Sequence, residues 1–233
     1  MLFSESESKA IEELAKTGGK AIECADKMAT FIARLTRGTL EEGFGIFEDK
    51  LKYMRWKNQI RLIQRANEFV KEANPDGTTR PLPLKYAIPL LQGASLEDDE
   101  YLQDLWARLL ANSVIENGIE VKRVYIDILE RLSTLEGQII ETVYGSYPFE
   151  ETQHKFLLTH KLPNAIVIQN DDSKEDPPYQ DNPEIQLALV NLSRIGCISL
   201  VKSLGGGEFY SLIHSTLLGK YFYEACTKRN SLR

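Results

Sequence analysis

Glu184 to Thr227, EIQLALVNLSRIGCISLVKSLGGGEFYSLIHSTLLGKYFYEACT, is the stretch that decides the fold. It predicts a helix over Glu184 to Ile195 that is closed by Gly196, since glycine supplies the left-handed residue on which helices commonly end. A strand over Cys197 to Lys202, a turn at Gly205-Gly206-Gly207 and a strand over Glu208 to Ile213 follow. A final helix covers Ser215 to Thr227. Helix, two-stranded hairpin and helix is the order of a winged-helix module.

Working outward, Ser133-Thr134-Leu135-Glu136 is a capping box, in which the serine and glutamate satisfy each other's free backbone N–H groups. It opens a helix through Tyr144 that serves as the first helix of the module. Between the two parts, Ala165-Ile166-Val167-Ile168 predicts a short strand. Asp171 to Pro183, rich in proline and carboxylates, predicts a surface loop. The carboxy-terminal winged-helix-like domain thus spans 133–233, with an acidic loop insertion at about 146–182.

Everything before it is helical in pattern. Ile11, Leu14, Ala15, Gly18, Ile22, Ala25, Ala29 and Ile32 recur at helical spacing within Ser8 to Leu35. After Gly38, Gly43 and Gly45, a second helix runs from about Phe47 to Ala73 and stops at Asn74-Pro75-Asp76-Gly77. Pro81, Pro83 and Pro89 predict an extended lead into a short kinked helix through Leu91. Ser95-Leu96-Glu97-Asp98 resembles a capping start for a helix bearing Leu102, Leu105, Trp106, Leu109 and Leu110, with Gly118 as its cap. One more helix covers about Val121 to Leu132. The expected fold is a mostly α-helical α+β protein. A multi-helix domain over 1–132 precedes the winged-helix-like region and its small β-hairpin.

A chain of 233 residues can bury a core without disulfides or metal. Its three cysteines, Cys24, Cys197 and Cys226, are scattered among apolar neighbours and predict reduced core thiols. The acidic start MLFSESE lacks the cationic and apolar regions of a signal peptide. No uncharged apolar run approaches the roughly 18 residues that a membrane span requires. A cytoplasmic protein without a transmembrane segment is expected.

The net charge of −6 argues against wholesale wrapping of nucleic acid but leaves room for a local basic patch. The most polarised stretch holds Lys50, Lys52, Arg55, Lys57, Arg61, Arg65 and Lys71 against Glu68 alone. Lys57, Arg61 and Arg65, spaced by four, form a row up one helix face. Trp56 and Tyr53 stand beside them, the mixture that base stacking and phosphate neutralisation use. Lys50, Arg55, Trp56, Lys57, Arg61 and Arg65 are therefore the candidate contacts for a partner or nucleic acid. The same row could instead pair with the carboxylates of Glu97 to Asp104, or lie solvated.

Other patterns carry less chemistry. Thr17-Gly18-Gly19-Lys20 lacks the strand, the earlier glycine and the following Ser or Thr of a phosphate loop. His154, His160 and His214 do not match a metal-ligand spacing. Asp98, Asp99 and Glu100 point about 100° apart on a helix and do not converge on one ion. No metal, cofactor or catalytic residue is expected. In the Glu184 to Ile195 helix, Gln186, Asn191 and Arg194 alone could reach bases, a poor set for sequence-specific DNA reading. A protein-interaction or structural winged helix is the better expectation.

Three stretches together resemble the abortive infection alpha (Abi-alpha) family, a bacterial domain of unknown function. They are the glycine-interrupted first helix followed by KYMRWKN at 52–58, and GASLEDDE at 93–100 continuing as LQDLWARLLAN at 102–112. The third is ILERLSTLE at 128–136, joined by LSRIGCI at 192–198 and LLGKYF at 217–222. The resemblance implies a bacterial or phage-encoded cytoplasmic protein of anti-phage defence, and it implies no active site. The expected function is defence by binding rather than catalysis. A protein partner or self-association is favoured over nucleic acid, and nucleic acid over an anionic membrane surface. The alternatives are a winged-helix nucleic-acid-binding regulator, or an enzyme whose site assembles only in three dimensions.

Overall fold

The computed structural model describes residues 49–73, 79–116, 118–169 and 176–227. The helix expected over Ser8 to Leu35, with Cys24 and the Thr17 to Lys20 stretch, lies outside them, as does part of the acidic loop. Helix α1 (Asp49–Ala73) turns Leu62, Ile63, Ala66, Phe69 and Val70 inward at helical spacing. Helix α2 (Leu84–Leu96) starts directly after Pro83, which disfavours helical backbone at the residue before it and is itself extended at ψ 138°. It carries Pro89 inside and continues past the expected end at Leu91.

Helix α3 (Glu100–Val114) begins later than Ser95-Leu96-Glu97-Asp98 suggests. Ser95 lies in the last turn of α2, where its hydroxyl donates back to the Gln92 carbonyl at 2.7 Å and is unavailable as a cap. Asp99 caps α3 instead, accepting from Leu102 N–H at 3.0 Å. The helix ends before Gly118, with Ile115 as its C-cap. Helix α4 (Arg123–Leu129) is shorter at both ends than the sequence pattern suggests. At α5 (Thr134–Gly145) both halves of the capping box form, with Ser133 N–H on the Glu136 carboxylate at 2.7 Å.

A short α6 (Phe149–Thr152) leads to two strands, β1 (Leu157–Leu158) and β2 (Val167–Ile168). Helix α7 (Pro183–Arg194) is capped by Asn182 and followed by Gly196 at φ +80°, the left-handed turn expected there. Then come β3 (Ile198–Lys202), β4 (Glu208–Ser215) and α8 (Leu217–Cys226), capped by Thr216. The antiparallel sheet runs β2-β1-β4-β3. Strand β1 was not expected, and it sets Leu157 opposite Ile213 and Leu158 opposite Leu212.

Among the described residues this is a mostly helical α+β fold. One buried cluster takes in Leu62 of α1, Trp106 and Leu110 of α3, Ile139 of α5, Leu189 of α7 and Phe222 of α8. Helix α3 is its axis, packed against α1, α5 and α8. Asn112 of α3 closes the far end of α8, donating to the Ala225 and Thr227 carbonyls at 2.9 and 3.0 Å.

Candidate interaction surfaces

On α1, Lys57, Arg61 and Arg65 rise along one face. Glu100 and Asp104 of α3 share their four-residue spacing, so the two rows meet in register. Arg61 pairs with Glu100. Arg65 grips Asp104 with two parallel bonds of 2.8 and 2.7 Å, and reaches Glu68 at 3.2 Å. The Asp104 hydrogen bonds and charge push the Arg65 pKa up. The guanidinium of Arg108 lies 3.9 Å from the centre of the Phe69 ring, a cation–π contact. Lys57 is exposed and Arg55 half-buried. The side chains of Lys50 and Trp56 lie outside the described residues. The seam is therefore a matched ionic one at Arg61 and Arg65.

The α7 and hairpin surface also differs from a cationic reader. Gln186 donates to the Gln180 carbonyl at 2.5 Å. Asn191 donates to the Glu136 carboxylate at 2.6 Å, and Arg194 donates to the Asn191 amide oxygen at 2.6 Å. Gln186 and Asn191 are thus held by the protein itself, while Arg194 is exposed and keeps its charge. Lys202 faces Glu208 across the hairpin. Apolar side chains face outward among the charged ones: Leu187 is 70% exposed and Phe209 49%, and Leu204 stands at the hairpin tip.

A third feature escapes the sequence reading. On α5, Gly137, Glu141 and Gly145 are spaced by four, about one helical turn each. A Cβ on Gly137 would stand 2.7 Å from the Tyr101 ring, and one on Gly145 would stand 2.8 Å from the Tyr223 hydroxyl. Each glycine is a notch that seats a tyrosine, Tyr101 from α3 and Tyr223 from α8. Glu141 lies between the notches and accepts the Tyr101 hydroxyl at 2.9 Å. Tyr223 stacks on Tyr144, with centroids 6.2 Å apart. Two cavities, of about 300 and 490 Å³, meet at Glu141 and Tyr223. Burial first pushes both the Tyr101 and Tyr223 phenols up, followed by the hydrogen bond to Glu141 at Tyr101 and by the Glu141 charge at Tyr223. Only the glycines hint at this site in sequence, because the tyrosines come from distant helices.

Among the described residues, the remaining titratable groups do not converge. Asp99 is spent as a cap and Glu100 in an ion pair. His214 is tied to the Lys155 carbonyl at 3.1 Å and lies against Phe156. Cys197 and Cys226 are buried thiols whose pKa values burial pushes up, that of Cys197 to about 12. Among the described residues, no group of three or more His, Cys, Asp or Glu could hold a metal ion, and no helix is long and apolar enough to cross a membrane.

Comparison with curated proteins and with solved structures found no significant match. The sequence model of abortive infection alpha does match, over residues 57–226, from within α1 to the last residue of α8, and on that match the chain belongs to this family.

Proposed function

We propose that this protein is a bacterial component of abortive-infection defence that works by binding another protein, not by catalysis. Membership of the abortive infection alpha family supports the defence role. The order α5, β1, α7, β3 and β4, with β1 paired to β4 and β4 to β3, supports a winged-helix reading of the carboxy-terminal half. One observation carries the binding mode. Gln186 and Asn191 are tied up by internal hydrogen bonds and Arg194 is the single cation of the helix, while Leu187 and Phe209 stand in solvent. A nucleic-acid reader needs free donors and cations on this helix. A protein interface gains from exposed apolar side chains. On the amino-terminal face, Lys57 adds a cation beside the neutralised Arg61 and Arg65.

Phage plating on cells with and without the gene, compared with cells carrying the double variant Leu187→Asp, Phe209→Asp, tests the reading. The variant should fold, since both side chains are exposed, and should lose protection. Fluorescence anisotropy of labelled single- and double-stranded oligonucleotides at low salt should stay flat. Affinity that falls steeply with salt would replace this reading with nucleic-acid binding. Unchanged plating across a broad phage panel after gene deletion would remove the defence role.

A further inference from the structure

From the groove along α5, we infer a binding site for a small organic cation, one whose amidinium, guanidinium or ammonium group bonds the Glu141 carboxylate between Tyr101 and Tyr223. The inference stands on geometry apart from the protein-binding surface. Gly137 and Gly145 admit the two rings only because they lack a Cβ, and Glu141 occupies the position midway between them on the same helix. Tyr101 uses one Glu141 oxygen, Oε2, at 2.9 Å, leaving Oε1 to accept from a ligand.

Charge balance points the same way. Three charged side chains line the groove: Asp104, Arg108 and Glu141. Asp104 is neutralised by Arg65, and Arg108 lies over the Phe69 ring. Among the described residues, no cation lies within ion-pair distance of Glu141. Arg108 keeps its charge but is turned to Phe69 of α1, so Glu141 is left as a carboxylate without a cationic partner and flanked by tyrosine rings, a setting in which an organic cation gains both a charge-assisted bond and ring contact. Leu105, Ile140 and Phe222 give the 300 Å³ cavity an apolar wall for the body of the ligand. The 490 Å³ cavity on the other side offers the polar side chains of Gln138, Ser146 and Asn164. The first volume is at the lower end of the range of small-molecule sites, and the second is an open surface hollow that would cover a ligand on one side.

Titration calorimetry and amide chemical-shift mapping on the full chain test this with benzamidine, agmatine and the neutral isostere benzamide. Benzamidine and agmatine should bind, with shifts centred on Glu141 and Tyr223, and benzamide should bind at least about tenfold more weakly. Glu141→Gln keeps the size and the Tyr101 contact and removes the charge, so cation affinity should fall by about tenfold. Circular dichroism checks that the variant folds. Gly145→Ala, which displaces the Tyr223 ring, should weaken binding without altering the charge. Equal affinity for benzamidine and benzamide, an unaffected Glu141→Gln protein, or no cation binding at millimolar concentration would each overturn the inference.

Discussion

The α1–α3 seam and the α5 groove use the same helical arithmetic to opposite ends. In the seam, Glu100 and Asp104 are spaced by four and meet Arg61 and Arg65 at the same spacing. In the groove, Glu141 has glycines at that spacing on both sides, and tyrosines fill the notches. Matched charge closes a surface, and unmatched charge leaves one open to a ligand. The seam is nevertheless a weak clasp, because exposed ion pairs contribute only about 0–1 kcal/mol each. Beneath it both helices feed the common core, α1 with Leu62 and Ala66 and α3 with Trp106, Leu109 and Leu110.

That ranking gives the largest expected effect. Trp106 is 1% exposed, and Trp106→Ala should destabilise the protein by about 3–5 kcal/mol, measured as a shift of the urea midpoint. A loss no greater than that from removing Arg65 would mean that the seam contributes as much stability as the core.

The next effect belongs to a buried node beside the groove, one helix turn from Glu141. The Tyr144 hydroxyl donates to the Cys197 carbonyl and accepts from Thr216 N–H at 2.9 Å, tying α5 to the start of β3 and of α8. Burial pushes the Tyr144 phenol, and separately the Cys197 thiol, up to about 12. Both groups are neutral when protonated, and both ionise more readily in the unfolded chain. Their contribution is complete below the ordinary thiol value of 9.0 and is lost as pH climbs from there toward 12. Urea midpoints in reductant should therefore fall between about pH 9 and 11. Tyr144→Phe should cost about 1–3 kcal/mol at neutral pH by stranding the Thr216 N–H, and should make the alkaline fall shallower. A flat profile to about pH 11 would show that the node opens to water.

How far the sequence reveals all this depends on the range of the cause. The Ser133–Glu136 box and the Gly196 stop are local, so the residues alone specify them. The start of α3 is ambiguous because Ser95, Asp98 and Asp99 are all cap formers, and the choice falls to where α2 ends. Strand β1, two residues long, has no alternation to detect and exists through its pairing with β4. The ionic row was legible as a row, and one of its stated alternatives, pairing with the Glu97 to Asp104 carboxylates, is what Arg61 and Arg65 do. The groove was not legible, since Gly137 and Gly145 look like ordinary small helix residues until Tyr101 and Tyr223 arrive from other helices.

The smallest effect separates the two acidic sites most cleanly. In a double-mutant cycle on Arg65→Ala and Asp104→Ala, the bidentate, partly shielded pair should couple by no more than about 1 kcal/mol, and Arg61 with Glu100 by less. Glu100 is 85% exposed in its side chain against 32% for Asp104, so water screens it more. Raising the salt to about 1 M should shrink both couplings, because the screening length then drops to about 3 Å. Couplings near zero, with Arg65→Ala still costing stability, would mean that Arg65 acts through its packing on Phe69, 5.5 Å from the ring centre, and not through charge. In that case a matched row is a packing device with ionic decoration, and Glu141 would be the one carboxylate of the two faces whose charge itself matters.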